Sequence, residues 1–351
     1  MKKLRFLPIA LLLAATTANA EAPIGYYKAA EGKSNAALRT ALEGIIDDHT
    51  VISYSNLENY YPDIDARLDN PDRVWDIYST CEFSFSDANC SQKKVCDCWN
   101  KEHTVPQSWF GKSSPMKSDL FHVLPTDARV NNFRGNLPYG EVSDHSKPVC
   151  DDTRALGWRS NNVAFEPADE FKGDIARIYF YMATRYAGKC SGWSGGMFGS
   201  EANGFKSSVA DMLIKWHRND PVSEKETRRN DAVYTYQKNR NPFVDFPELA
   251  EYIWGDKKGK AWYATATALP ATNIPGLTVY PNPTTTGEVT ITADDNGLFD
   301  YELLDAAGRT LVAGTSTFGG TIHTNGLTNG IYLLKISAND KNRIVKLIIN
   351  K

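Results

Sequence analysis

The sequence predicts an α+β fold in two parts: a mainly helical first region that carries one β-β-α unit, followed by a small β-sandwich. Three observations predict it. Apolar and aromatic residues recur three or four apart in several stretches of the first region, short β-branched runs cut by turn residues fill the chain from about Leu277, and an uncharged Pro- and Thr-containing segment, 265–276, separates the two textures. The chain has 351 residues, 42% hydrophobic and 23% charged, which suits two or three folded domains and excludes bulk disorder.

In chain order, Lys2, Lys3 and Arg5, the apolar run Phe6 to Ala15, and Ala18-Asn19-Ala20 ahead of Glu21 form the three-part pattern of a secretory signal. Residues 1–20 are therefore expected to be removed. The run is too short to span a bilayer, no later run approaches roughly 18 apolar residues, and no transmembrane segment is expected in the mature chain. Asn35 to Asp48 opens the first domain, 21–264, as a helix with Leu38, Leu42, Ile45 and Ile46 at helical spacing. Ile175 to Tyr186 is a second helix, whose residues Ile175, Ile178, Tyr179, Met182 and Tyr186 predict one buried face. Ser208 to His217 forms another, Pro221-Val222-Ser223 begins the next with Ser223 and Glu226 at capping-box spacing, and Pro247 to Trp254 closes the domain. After the linker, 265–276, the strands expected in 277–351 are Leu277–Tyr280, Glu288–Thr292, Phe299–Asp305, Thr310–Ala313, Thr321–Thr324, Gly330–Ser337 and Asn342–Ile349. So many short strands in this length imply a small sandwich.

Six cysteines, Cys81, Cys90, Cys96, Cys98, Cys150 and Cys190, lie after the signal, so disulfides are the default expectation, in a pairing that sequence does not choose. A zinc site is disfavoured because Cys96-Asp97-Cys98 has a single intervening residue and no paired His follows at finger spacing. Residues 21–265 carry 30 Lys and Arg against 35 Asp and Glu, a net of −5, which argues against a broadly basic polyanion-binding surface. Any phosphate contact must come from a local patch, and Lys215 to Arg240 is the richest run, with a solvated helix surface as the plain alternative.

The densest polar cluster is Glu102-His103-Thr104-Val105-Pro106 with Asp119 to Asn136. The first piece and Leu120 to Leu124 suit a hairpin, and Thr126 or Asp127 could cap a helix through Asn131, giving β-β-α. Such a unit can place the Glu102 carboxylate opposite the Asn131 amide. A carboxylate and an amide oxygen, with water in the other positions, suit Mg²⁺, with Ca²⁺ or Mn²⁺ as alternatives. His103 beside them can take a proton from water near neutral pH. One objection is that neighbours in a regular strand point to opposite faces, so both enter one site only if the strand ends or bends there; Pro106 makes such an end reasonable.

Glu102-His103-Thr104-Val105-Pro106-Gln107-Ser108-Trp109-Phe110, Asp119 to Asp127, Val130-Asn131 and Arg134 to Gly140 resemble the endonuclease I family of secreted bacterial nucleases. The resemblance continues through Gly173 to Met182, Asp220 to Ser223, Arg229-Asn230 and Asn239 to Asp245, most of residues 35–256. It implies a ββα-metal nuclease core and an endonuclease acting on DNA, with RNA left open and little sequence preference. By position it implies His103 as general base and Glu102 and Asn131 as metal ligands. The family also uses an arginine at the leaving group or product phosphate. The loop where some members carry it, here Gly111 to Ser118, has only Lys112 and Lys117, so Arg134 is the candidate. His122 fits a hairpin-shaping position.

Val279 to Pro283, Leu304 to Arg309, Leu327 to Tyr332 and Lys346 to Ile349 resemble the sorting domain of type IX secretion cargo. That implies the type IX machinery as a partner and a product secreted or on the outer cell surface, exported via the periplasm; a monomer is expected separately. A carbohydrate-binding or adhesive sandwich is the alternative for this region, since fold alone does not fix function. For the whole chain the rivals are a non-catalytic surface adhesin and a metalloprotease, though the latter wants His-Glu-x-x-His and Glu102-His103 runs in the reverse order.

Overall fold

The computed structural model describes residues 22–23, 25–88, 90–146, 148–160, 163–200, 203–264, 274–305, 310–324, 326–338 and 341–351. The expected signal, 1–20, and most of the expected linker lie outside the described residues. Among the described residues no helix is long and apolar enough to cross a membrane.

The first unit is built on helices α1 (Asn35–Ile46), α2 (Ala128–Arg134), α3 (Lys172–Arg185), α4 (Ser207–Asn219) and α5 (Glu224–Gln237). The last begins on a complete capping box between Ser223 and Glu226, which satisfies two of the donors a helix start leaves open. Helix α3 is buried on every side, and α1 and α4 pack against it. The single buried face expected for it is therefore too narrow. Arg177, on another side, is buried because it is paired: it donates to both carboxylate oxygens of Glu226, at 2.5 and 2.7 Å, and to the Asp220 carbonyl at 2.7 Å. Gly173, at the start of α3, permits a close approach, since a Cβ there would stand 2.1 Å from the Asp220 carbonyl oxygen.

Strands β1 (Trp99–His103) and β2 (Val123–Asp127) pair antiparallel, with Trp99 opposite Asp127 and His103 opposite Val123. The ladder extends further from the turn than the expected pieces do, and beyond His103 only a link remains, the Thr104 N–H donating to the His122 carbonyl at 3.0 Å. Asp127 ends β2 and caps α2, its Oδ1 accepting the backbone N–H of Arg129 and Val130 at 2.8 and 2.9 Å. Two short strands, β3 (Trp158–Ser160) and β4 (Ala164–Glu166), form a separate hairpin. Disulfides Cys81–Cys96 and Cys90–Cys98 tie down the segment leading into β1. The expected disulfides are thus present, while Cys150, half-buried, and Cys190, buried, are free thiols.

The second unit contains β5 (Thr278–Tyr280), β6 (Glu288–Thr292), β7 (Leu298–Leu304), β8 (Thr310–Thr317), β9 (Thr321–His323), β10 (Gly330–Ala338) and β11 (Lys341–Ile349). They form one sheet of order β11-β10-β7-β8 and another of order β5-β6-β9. Alternate residues from both sheets, among them Val289, Ile291, Leu303, Leu334, Ile336 and Leu347, share one core. Ile274, expected in the linker, is buried in that core and belongs to this unit.

Candidate active site

Strand β1 presents Glu102 and His103 at its end, where both are buried. Each has its own partners. The Glu102 carboxylate, 2% exposed, faces Tyr78, whose hydroxyl donates to Oε1 at 2.7 Å, and Arg134, whose Nη1 stands 3.0 Å from the same oxygen. Tyr78 in turn shares a 2.5 Å hydrogen bond with Tyr139, whose ring lies under the Arg134 guanidinium. Burial pushes the Glu102 carboxyl above its usual range, while Arg134 and Tyr78 pull the other way by favouring the ionised form. Both side-chain contacts use Oε1. No side chain among the described residues donates to Oε2.

His103 has a separate set of partners. Its ring stacks on Tyr54 at a centroid distance of 5.6 Å and meets the edge of His122 at 5.5 Å. Nε2 lies 2.9 Å from the Lys117 carbonyl, which can only accept, so Nε2 carries the proton and Nδ1 is left with a lone pair. Nδ1 has no partner among the described residues and, unlike Nδ1 of His122, is not sealed from solvent. Burial, then the neighbouring His122, pushes the His103 pKa down to about 3, so the imidazole is neutral at ordinary pH. His122 is fully buried with Nε2 2.5 Å from the Met116 carbonyl, and it supports the loop before β2.

Asn131, half-buried on α2, lies along β1. Its Nδ2 donates to Asn100 Oδ1 at 2.7 Å and to the Lys101 carbonyl at 3.3 Å. These bonds fix which end of the amide is nitrogen and leave Oδ1 without a donor among the described residues. Asn100 and Glu102 are two apart in β1, so they occupy the same face of the strand, and the amide of Asn131 meets that face one step from Glu102. Arg134 joins Glu102 and His103. Besides Glu102, it donates to the His103 carbonyl at 2.9 Å and to the Thr104 carbonyl at 2.6 Å.

Residues 34–248 match the Endonuclease I family and residues 278–350 match the Secretion system C-terminal sorting domain. The chain belongs to the endonuclease I family. It is 38% identical over 234 residues to the extracellular ribonuclease of Bacillus amyloliquefaciens, covering 65% of this chain and 78% of that one. It is 36% identical over 234 residues to the extracellular ribonuclease of Bacillus subtilis, with the same coverage. An extracellular deoxyribonuclease of Aeromonas hydrophila is 22% identical over 161 residues, 43% of this chain and 63% of that one.

In this endonuclease I domain the cations are mostly committed. Arg134 is 1% exposed, with both Nη atoms engaged, so it cannot reach a leaving group, contrary to the role expected for it. The run Lys215 to Arg240 is not a free basic patch either. Lys215 pairs with Glu141, Arg218 with Glu251 and Asp256, Arg228 with Glu224, Arg229 with Asp65, and Arg240 with Asp231 and Asp245. Lys225 is buried and donates to the Ile64 carbonyl. Among the described residues the only three-residue grouping of His, Cys, Asp and Glu with metal-ligating distances is Cys81, Cys96 and Asp127, and its cysteines are consumed in a disulfide. A pair made of Glu102 and an asparagine is a different donor set, with oxygen ligands alone. Tyr54 and Tyr78, which reach His103 and Glu102 only through the tertiary fold, leave no local mark in the sequence.

Proposed function

We propose that this chain is an exported, metal-dependent endonuclease that hydrolyses the phosphodiester backbone of nucleic acids, with His103 as general base. The observation that carries this reading is the His103 ring: neutral, fixed by the Lys117 carbonyl through Nε2, and without a partner at Nδ1 among the described residues. A water beside Nδ1 would lose its proton there as it attacks phosphorus, and the imidazole would hold that proton until solvent removes it. Glu102 Oε2 and Asn131 Oδ1 are the oxygens proposed to hold a divalent cation. Their fit is supported by the absence, among the described residues, of a side-chain donor on either atom, and by their chemistry: few, hard, protein oxygens with the remaining positions left to water and phosphate suit Mg²⁺. A bound cation would neutralise charge developing on the phosphate and the leaving oxygen. Arg134 is a positioning residue in this reading: it holds Glu102 ionised in a buried place and pins the end of β1.

The nucleophile is water and not a ribose hydroxyl, so the chemistry admits both DNA and RNA. Relatives named ribonuclease and deoxyribonuclease agree with that breadth. The sorting domain supports export by a type IX machinery to the medium or cell surface. The test is incubation of the purified chain with plasmid DNA and with single-stranded RNA. Both are expected to be cut in Mg²⁺ and spared in excess EDTA, and His103→Ala is expected to lose at least about a hundredfold in rate with an unchanged circular dichroism spectrum. Undiminished cutting in EDTA, or a fully active His103→Ala, would overturn the reading.

A further inference from the structure

We infer that Lys117 is the cation that grips the phosphate being cut, seated on the Tyr54 ring beside the general base; this rests on the nuclease reading above. Other charged groups near His103 are already committed. Arg134 is sealed inside and spent on Glu102 and two carbonyls. Lys101 is bound to Glu58. Lys117, half-buried, has no carboxylate partner among the described residues, and its ammonium stands 4.8 Å from the centroid of Tyr54.

The same Tyr54 ring stacks on His103 at 5.6 Å. One tyrosine therefore carries the ammonium and backs the imidazole, while the Lys117 carbonyl, 2.9 Å from Nε2, sets the tautomer that frees Nδ1. A cation over a ring gains little where water reaches it, so the ring places the ammonium without holding it against a phosphate oxygen. An ammonium whose N–H groups are free of acceptors among the described residues is a point charge suited to a non-bridging phosphate oxygen. Binding there would keep the phosphate within reach of a water on Nδ1 and offset charge as the P–O bond to the leaving group breaks. Lys112, in the same loop, is exposed.

The test uses the full chain and a short fluorescein-labelled DNA duplex. In EDTA, the slope of log affinity against log salt concentration is expected to fall by about 0.9 for Lys117→Gln, as one phosphate goes unneutralised, and to keep its wild-type value for Lys117→Arg and Lys112→Ala. In Mg²⁺, single-turnover cleavage is expected to drop about a hundredfold for Lys117→Gln and less than about tenfold for Lys117→Arg. Tyr54→Leu, which removes the ring under the ammonium, should also lose rate. A Lys117→Gln variant with the wild-type salt slope, or with the wild-type cleavage rate, overturns the inference. The salt slope reads phosphate binding without any cutting, so a wild type that binds duplex but never cleaves it would sink the nuclease reading while the slope still decides whether Lys117 meets phosphate.

Discussion

Arg134 and Glu102 form a pair in which each residue makes the other tolerable. A carboxylate 2% exposed and a guanidinium 1% exposed are costly to bury singly, and together they meet at 3.0 Å with Tyr78 and two backbone carbonyls completing the bonds. Arg134→Met should therefore destabilise the domain by about 3–5 kcal/mol, the scale for stranding one member of a buried pair, and Arg134→Lys by less. Urea denaturation measures this, and a loss under about 1 kcal/mol would mean that Glu102 finds another partner or a proton. Glu102, His103 and Asn131 were legible as candidates because their residue types sit in one short stretch with the chemistry of metal-assisted hydrolysis. The place of Arg134 was not legible, since a sequence does not say whether a guanidinium faces substrate or core. Tyr54 was invisible for a related reason: it lies far back in the chain and meets His103 only through folding.

At the scale of elements, capping and periodicity located most helices within a few residues, because Ser223-x-x-Glu226 and the apolar spacings are local causes of local structure. Partnering between elements was less legible. The basic run Lys215 to Arg240 looked like a surface patch in one dimension, yet its charges join α4 and α5 to the rest of the unit. His217 shows the same thing at one junction. Its Nε2 bonds the Pro247 carbonyl at 3.0 Å and Nδ1 faces Arg177 at 3.3 Å, and burial followed by the Arg177 charge pushes its pKa down to about 4. A histidine depressed in the fold gives stability that is complete above its unfolded value, about 6.5, and is lost as pH falls toward 4, because only the unfolded chain binds the proton in that window. Asp174, buried nearby and raised by that burial, acts with the opposite sign, so the contrast must be made between variants. Between pH 7 and 4.5 the stability advantage of wild type over His217→Gln is expected to shrink by on the order of 2 kcal/mol in denaturant titrations. A constant difference across that range would show that His217 charges freely in the fold.

Across the whole molecule, the change of texture near residue 265 corresponds to two separate hydrophobic cores, one closed by Trp262 and the other beginning at Ile274. That division was readable because period-two strands and period-three-to-four helices leave different marks on a sequence. The cysteine pairing was not, since proximity of two thiols is a property of the folded chain, and two of the thiols stayed single. The acidic balance of residues 21–265 argues against a grip on a polyanion spread over a broad face, which is why the proposed contacts are concentrated at Lys117 and the proposed cation. Hydrolysis by this route depends above all on Glu102 and Asn131 sharing that cation. The most direct test is Mn²⁺ binding followed by electron paramagnetic resonance on wild type, Glu102→Gln, Asn131→Ala and His103→Ala. The first two variants are expected to lose at least about tenfold in affinity while His103→Ala binds as wild type does, and equal binding by Asn131→Ala and wild type would contradict the shared site.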